Sequence, residues 1–140
     1  MKPSIHRITQ NNIHLLDRIA ADVFDDVIQN DHLVAMTETG THVLLVALDE
    51  GCVVGQCLGM VHHGPDRAPM LYIDNLGVTP SHRRRGIGGA LVQTMIQAGR
   101  DAGCTTGWLG SDPQSDTAEP FYRALGFSMQ AAMFAEFDLD

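Results

Sequence analysis

The stretch from His82 to Val92 reads HRRRGIGGALV and sets three consecutive arginines against three glycines. It follows an apolar segment, Leu71 to Val78, and a turn at Thr79-Pro80-Ser81. It opens a segment whose apolar residues Leu91, Val92, Met95 and Ile96 recur at helical spacing. A strand, a glycine-rich turn and a helix start therefore converge on Arg83, Arg84 and Arg85. Backbone N–H groups at a helix start have no intrahelical acceptor, and the helix dipole places its positive end there. Such a place attracts anions. Gly86, Gly88 and Gly89 carry no side chain that would hold a phosphate off the backbone. The chemistry on offer is a pyrophosphate cradle. Glycine-rich turns are common by themselves, so what the cradle holds depends on its surroundings.

Those surroundings are acidic. Net charge is −8, from 17 acids against 9 bases. Asp101, Asp112, Asp116, Glu119, Glu136, Asp138 and Asp140 crowd the last forty positions, where Arg123 is the single base. Such a surface repels nucleic acid and anionic membranes and attracts cations, besides aiding solubility. One basic turn in an acidic body predicts an anionic cofactor and a cationic substrate, with neither nucleic acid nor membrane as partner.

At 140 residues the chain is expected to form one domain, 1–140, large enough to bury a core. No run reaches the roughly 18 apolar residues of a membrane span. MKPSIHRITQNN lacks the apolar centre of a signal peptide, so a cytoplasmic location is expected. Cys52, Cys57 and Cys104 are odd in number, show no Cys-x-x-Cys spacing and lie in apolar segments. They read as buried free thiols rather than disulfides or nucleophiles.

The elements follow from periodicity and punctuation. Ser4 to Thr9 reads as a strand. Asn11 or Asn12 can cap a helix that buries Ile13, Leu16, Ala20, Val23 and Phe24. A second short helix is expected over Asp31 to Thr37, with Leu33 and Met36 inward and a stop near Gly40. THVLLVAL (Thr41 to Leu48) and CVVGQCLGMVH (Cys52 to His62) are strands joined by a turn at Asp49-Glu50-Gly51. Gly55 and Gly59 mark a bulge or a close backbone approach. HGPDRAP, His63 to Pro69, reads as a loop before the Leu71–Val78 strand, completing an antiparallel meander. After the glycine turn come a long helix ending near Ala102-Gly103 and a strand, Cys104 to Leu109, parallel to its predecessor through a right-handed crossover. Ser115 or Asp116 can cap a last helix running through Leu125, and a final strand pair or hairpin is expected from Phe127 to Asp138. The fold class is α/β, with a mixed, largely antiparallel sheet flanked by helices.

Two motifs then meet. Arg83-Arg84-Arg85-Gly86-Ile87-Gly88 resembles the Arg/Gln-x-x-Gly-x-Gly/Ala signature of the GNAT superfamily of N-acetyltransferases. FYRALGF, Phe121 to Phe127, is similar to that family's Tyr-x-x-x-Gly-Phe. Their order and separation make the pair far more specific than either alone. The resemblance implies acetyl-CoA as cofactor and a sheet whose fourth and fifth strands splay at a bulge. Within the superfamily, LYIDNLGV before HRRRGIGGAL resembles the gentamicin-resistance group of aminoglycoside 3-N-acetyltransferases, as do Asp112, Asp116, Tyr122 and the closing FDLD. The chain departs from that group at Asn75, where a carboxylate is typical; Asp74 stands next door. Neighbouring strand residues point to opposite faces unless a bulge intervenes, so the acidic function has either moved or gone.

The resemblance implies direct attack of an amine on the acetyl thioester, and it assigns roles. Arg83, Arg84, Arg85, Gly86, Gly88 and Gly89 hold the pyrophosphate, with Leu76, Val78 and Ser115 along the rest of the cofactor. The Val78 N–H polarises the thioester carbonyl, a preorganised donor of the kind that contributes most to acyl transfer. Tyr122 protonates the leaving thiolate, since a phenol near pKa ~10 suits that task. Asp74, beside Asn75, orients the ammonium and serves second as its base. Asp112, Asp116, Asp138 and Asp140 bind further amines of a polycation. His62, His63 and Asp66 match no zinc spacing and read as a loop at the mouth of the site. No metal is expected. The substrate class is a small cationic amine such as an aminoglycoside. A peptide or protein amine, or a silent acyl-CoA-binding module, are the alternatives. A homodimer is expected by resemblance.

Overall fold

The computed structural model describes residues 2–140, which form two compact units, one ending at Gly110 and the other comprising Ser111–Asp140. The first holds strand β1 (Ser4–Arg7), a 3-10 turn (Ile13–Asp17), helix α1 (Asn30–Glu38), and strands β2 (His42–Asp49), β3 (Cys52–Gly64) and β4 (Arg67–Val78). A second 3-10 turn (Pro80–His82), helix α2 (Ile87–Asp101) and strand β5 (Thr106–Leu109) complete it. The strands lie in the order β1-β2-β3-β4-β5. All neighbours pair antiparallel except β4 and β5, which are parallel through the α2 crossover. This is the mixed, largely antiparallel sheet that the sequence predicts.

Each face of the sheet is covered. On one, α2 buries Ile87, Leu91, Val92, Met95 and Gly99. Gly59 explains how close α2 comes: a Cβ there would sit 2.6 Å from the Met95 sulfur. On the other, Leu44, Val46 and Val53 pack with Ile8, Leu16, Val23 and Leu33. Complete burial of side chains such as Leu91 and Val92 is worth about 1.5–3 kcal/mol each. Cys57 is fully buried, and burial pushes its thiol up to about 12, so it stays protonated and inert at neutral pH.

The first predicted helix is largely absent. Ile13–Asp17 makes one 3-10 turn, and Arg18 to Ala20 then runs beside β3. The Ala20 N–H donates to Val53 O at 2.9 Å, and the Val53 N–H donates to Arg18 O at 2.8 Å. Asn12 explains the failure. Its Oδ1 accepts from the Thr9 N–H at 2.7 Å and its Nδ2 donates to Arg7 O at 2.8 Å, so it bonds backward and caps nothing ahead. Burial of Leu16 and Val23 survives without the helix, because periodicity reports burial more directly than backbone form. The second helix is where the sequence predicts it, a residue longer at each end, and it is followed by Gly40 with φ +72°.

The loop predicted over His63 to Pro69 is also corrected. β3 continues to Gly64, which pairs with Arg67 at the start of β4, leaving Pro65 and Asp66 as the turn. Pairing satisfies backbone groups that a loop would leave to water. His62 and His63 are thus exposed strand residues. Among the described residues no group of three or more His, Cys, Asp or Glu side chains could hold a metal ion, and no helix is long and apolar enough to cross a membrane.

The second unit contains helix α3 (Ala118–Ala124), with Gly126 beyond its end at φ +90°. The strand pair expected from Phe127 to Asp138 is absent; residues 127–140 carry no regular structure. A strand needs a partner for its backbone groups, and α3 is the sole regular element of this unit.

Candidate active site

The first part of the site is an open strand. β4 pairs with β5 only over Met70–Ile73, against Thr106–Leu109, and beyond that runs to Val78 paired with β3 alone. Residues of an antiparallel ladder alternate between those bonded to the partner strand and those whose N–H and C=O point away. The Thr79 N–H bonds Val54 O at 2.8 Å, which puts Gly77, opposite Gln56, in the bonded set. Leu76 and Val78 fall in the other set. Their amides therefore face away from β3, on the side that β5 does not reach. The Arg83 Nε donates to Val78 O at 3.0 Å from that same side. An extended ligand with a carbonyl could add to this edge as a strand does.

The second part is the turn beyond β4. Arg84 and Gly86 are left-handed, at φ +63° and +80°. In α2 the Ala90 N–H bonds back to Gly86 O at 3.0 Å, leaving the amides of Ile87, Gly88 and Gly89 at the helix start without an intrahelical acceptor. Arg83, Arg84 and Arg85 are exposed, and among the described residues no acid lies within ion-pair distance of them. Free amides, a helix dipole and unneutralised guanidinium groups together fit a pyrophosphate.

The third part lies on the sheet face opposite α2. The β3–β4 register shifts between Leu58 and Gly59, which pair with Asn75 and Ile73, so Asp74 is an inserted residue. The bulge expected of a splayed sheet is thus at Asp74. Tyr72 pairs with Met60, Asn75 with Leu58 and Gly77 with Gln56, which gives the three one shared face. The Tyr72 hydroxyl donates to Asp74 Oδ1 at 3.2 Å, and the Tyr72 ring stacks on Trp108 with centroids 4.3 Å apart. Burial, then the Asp74 charge and this hydrogen bond, raises the Tyr72 phenol above its ordinary value, so Tyr72 stays a donor at neutral pH.

Asn75 leads to a residue that the sequence did not single out. Its Nδ2 donates to Asp25 Oδ2 at 3.2 Å, and its Oδ1 accepts from Gln56 Nε2. Gln56, 1% exposed, also donates to Val23 O at 3.2 Å. Its Oε1 is buried with no partner among the described residues. Asp25 and Asp26 line a cleft of about 450 Å³ with Ile19, Ala20, Phe24, Val27 and Ile28. Where the resemblance implies a carboxylate at position 75, the amide instead holds one supplied by Asp25.

Comparison with known proteins settles the family. The model for "Acetyltransferase (GNAT) family" matches residues 13–127. The chain belongs to the GNAT acetyltransferase family. Aminoglycoside N(6')-acetyltransferase type 1 of Salmonella typhimurium is 24% identical over 107 residues, 74% of this chain and 68% of that protein. An aminoglycoside acetyltransferase, meta-AAC0020, from an uncultured soil metagenomic sample was solved in complex with sisomicin. It superposes with a TM-score of 0.85 at 22% identity, covering 99% of this chain and 97% of that one. AAC(6')-Iy in complex with the bisubstrate analog CoA-S-monomethyl-acetylneamine gives 0.80 at 18% identity, with 99% of each chain covered. Two of these names carry the 6' position, whereas the sequence motifs resemble the 3-N group; an aminoglycoside acetyltransferase is common to both.

As a GNAT enzyme the chain is an acetyl-CoA-dependent N-acetyltransferase, and the cradle and open strand fit that cofactor. The other residues that the sequence singles out lie in the second unit. Tyr122 is half-buried on α3, its ring 5.0 Å from that of Phe121 and 5.6 Å from that of Phe127. Ser115 Oγ accepts from the Ala118 N–H at 3.2 Å, closing the turn into α3. Asp112 Oδ1 accepts from the Gln114 N–H at 2.9 Å. Asp112, Asp116, Asp138 and Asp140 are all exposed.

Proposed function

We propose that this GNAT enzyme acetylates a primary amine of an aminoglycoside. One observation carries the reading: the face beside the open strand presents Asp74 at a bulge and Asp25 in the grip of Asn75. Fixed carboxylates suit a polycation, and aminoglycosides are what the named relatives act on. Acetyl-CoA supplies the activated thioester. Arg83, Arg84, Arg85, Gly86, Gly88 and Gly89 hold its pyrophosphate; Leu76, Val78 and Ser115 bind the remainder. With acetyl-CoA bound, the Val78 N–H would donate to the thioester carbonyl, Asp74 would orient the substrate ammonium and take the proton it loses before the neutral amine attacks, and Tyr122 would give a proton to the departing sulfur. Asp112, Asp116, Asp138 and Asp140 take further amines. Residues 1–140 are one acetyltransferase domain, a reading supported by the family match across 13–127. The protein works in the cytoplasm, as a homodimer, for which the exposed Phe134, Phe137 and Leu139 offer apolar surface.

Thiol release from acetyl-CoA, followed with an aminoglycoside, a polyamine and a basic peptide in turn, tests the acceptor. Preference for the aminoglycoside is expected. Preference for the peptide would favour a protein acetyltransferase, and no amine-dependent release would leave a silent acyl-CoA binder. Asp74→Asn keeps an oxygen for the Tyr72 hydroxyl but removes the charge. We expect it to raise KM for the aminoglycoside about tenfold, the worth of one ion pair out of water, with KM for acetyl-CoA unmoved.

Arg84 allows a separate test of the cradle. A left-handed non-glycine residue costs about 1–2 kcal/mol, which glycine would relieve at an unfolded-state cost of about 0.5–1 kcal/mol. Arg84→Gly should therefore melt no lower than the native protein while binding CoA several-fold more weakly. Calorimetric titration with CoA, paired with a melting curve, reads both.

A further inference from the structure

We infer that His82 and Asp49 form a positioning pair that holds the arginine turn in place for its phosphates, an inference that rests on the acetyl-CoA cradle read above. The His82 Nε2 lies 2.7 Å from Asp49 Oδ2, and its Nδ1 lies 2.8 Å from Ser81 Oγ. Both ring nitrogens are thus engaged and the ring is fixed. The contact is sheltered, with the His82 side chain 18% and the Asp49 side chain 31% exposed. Protection from water is what lifts such a contact above the small value of surface pairs.

Asp49 is a firm anchor. It closes β2 and pairs with Cys52 across the turn at Glu50 and Gly51. Those residues sit at φ +51° and +77°, the left-handed pair that a tight hairpin requires. His82 is the last residue before the arginines and ends the 3-10 turn Pro80–His82. The segment from Thr79 to Gly86 is therefore tied down in three places. The Thr79 N–H bonds Val54 O, His82 bonds Asp49, and the Arg83 Nε bonds Val78 O. Of these, His82–Asp49 is the tie to β2. Its carboxylate engages the histidine and none of the three guanidinium groups, so the turn is anchored without losing positive charge. Without this tie, three adjacent cations repel one another at the end of a segment held only at β3 and β4.

A positioning role predicts a loss of cofactor affinity that spares the chemistry. Asp49→Asn and His82→Ala should each raise KM for acetyl-CoA, and the calorimetric Kd for CoA, about tenfold. Turnover at saturating acetyl-CoA with sisomicin as acceptor should stay within about twofold. Because the two act as a unit, the double variant should be no worse than either single one. His82→Gln, whose amide can still donate to Asp49, should regain most of the affinity. Melting curves separate this from unfolding; if His82→Ala melts early, the near-isosteric Asp49→Asn carries the test. Native-like KM and Kd in a folded Asp49→Asn, with native protein binding CoA, would overturn the pairing alone. Failure of the native protein to bind CoA would instead overturn the cradle, and the pairing with it.

Discussion

Tyr122→Phe should lower turnover by at least about a hundredfold, the lower end of what a positioned acid contributes. The substitution removes one oxygen and leaves the ring. Contacts with Phe121 and Phe127 at 5.0 and 5.6 Å are therefore retained, as are the main-chain bonds from the Leu125 and Phe127 amides to Tyr122 O. The second unit keeps its packing while the proposed proton donor is lost. KM for acetyl-CoA should stay near the native value, because the proposed proton transfer belongs to the step in which the sulfur departs. Steady-state kinetics separate the two parameters. Native turnover in this variant would remove Tyr122 from the chemistry and leave it a packing residue.

Gly77→Ala should be the most damaging single methyl in the first unit. A Cβ at Gly77 would drive into the main-chain carbonyl of Val23, and a backbone atom cannot swing aside as a side-chain tip can. Overpacking of this kind costs about 1–3 kcal/mol. The same carbonyl accepts from Gln56 Nε2 at 3.2 Å, so lifting it leaves a buried amide donor short of a partner, at about 1–3 kcal/mol more. The chain from Val23 through Gln56 and Asn75 to Asp25 then loses its first link, and Asp25 is no longer held. A marked fall in melting temperature and a rise in KM for the acceptor should appear together. Gly110→Ala is the control, since nothing lies within 4 Å of its Cβ position; it should melt as the native protein does. Equal melting of Gly77→Ala would show that the Val23 segment does not rest on β4.

What the sequence shows of this enzyme depends on how far apart the interacting residues lie. The cradle is legible because its parts are contiguous: the end of β4, the arginines, Gly86 and the start of α2 fall within a few positions of one another. The meander is legible for the same reason, with Glu50 and Gly51 marking its first turn. Asp74 and Tyr72 are two apart on one strand, and that spacing alone could have paired them. The Asp25–Asn75 contact spans fifty positions and left no local sign. The place of the bulge in β4 is equally silent, because one extra residue there looks like any other until β3 fixes the register. Asn12 misleads because the residue type that caps helices also bonds backward, and here Arg7 and Thr9 win it. The closing segment has strand-like apolar residues, yet a strand is made by its neighbour and not by its own sequence.

Of the functional conclusions, the acetyl donor rests on local motifs and the family match, whereas the acceptor rests on Asp25 and Asp74, which only the fold brings to one face. The most direct measurement is the mass of sisomicin after incubation with acetyl-CoA and the native protein. A gain of one acetyl group, dependent on both protein and acetyl-CoA and diminished by Asp74→Asn, is the expected result. Unmodified sisomicin, with acetyl-CoA consumed on a basic peptide or not at all, would contradict the assignment of this acidic face to an aminoglycoside.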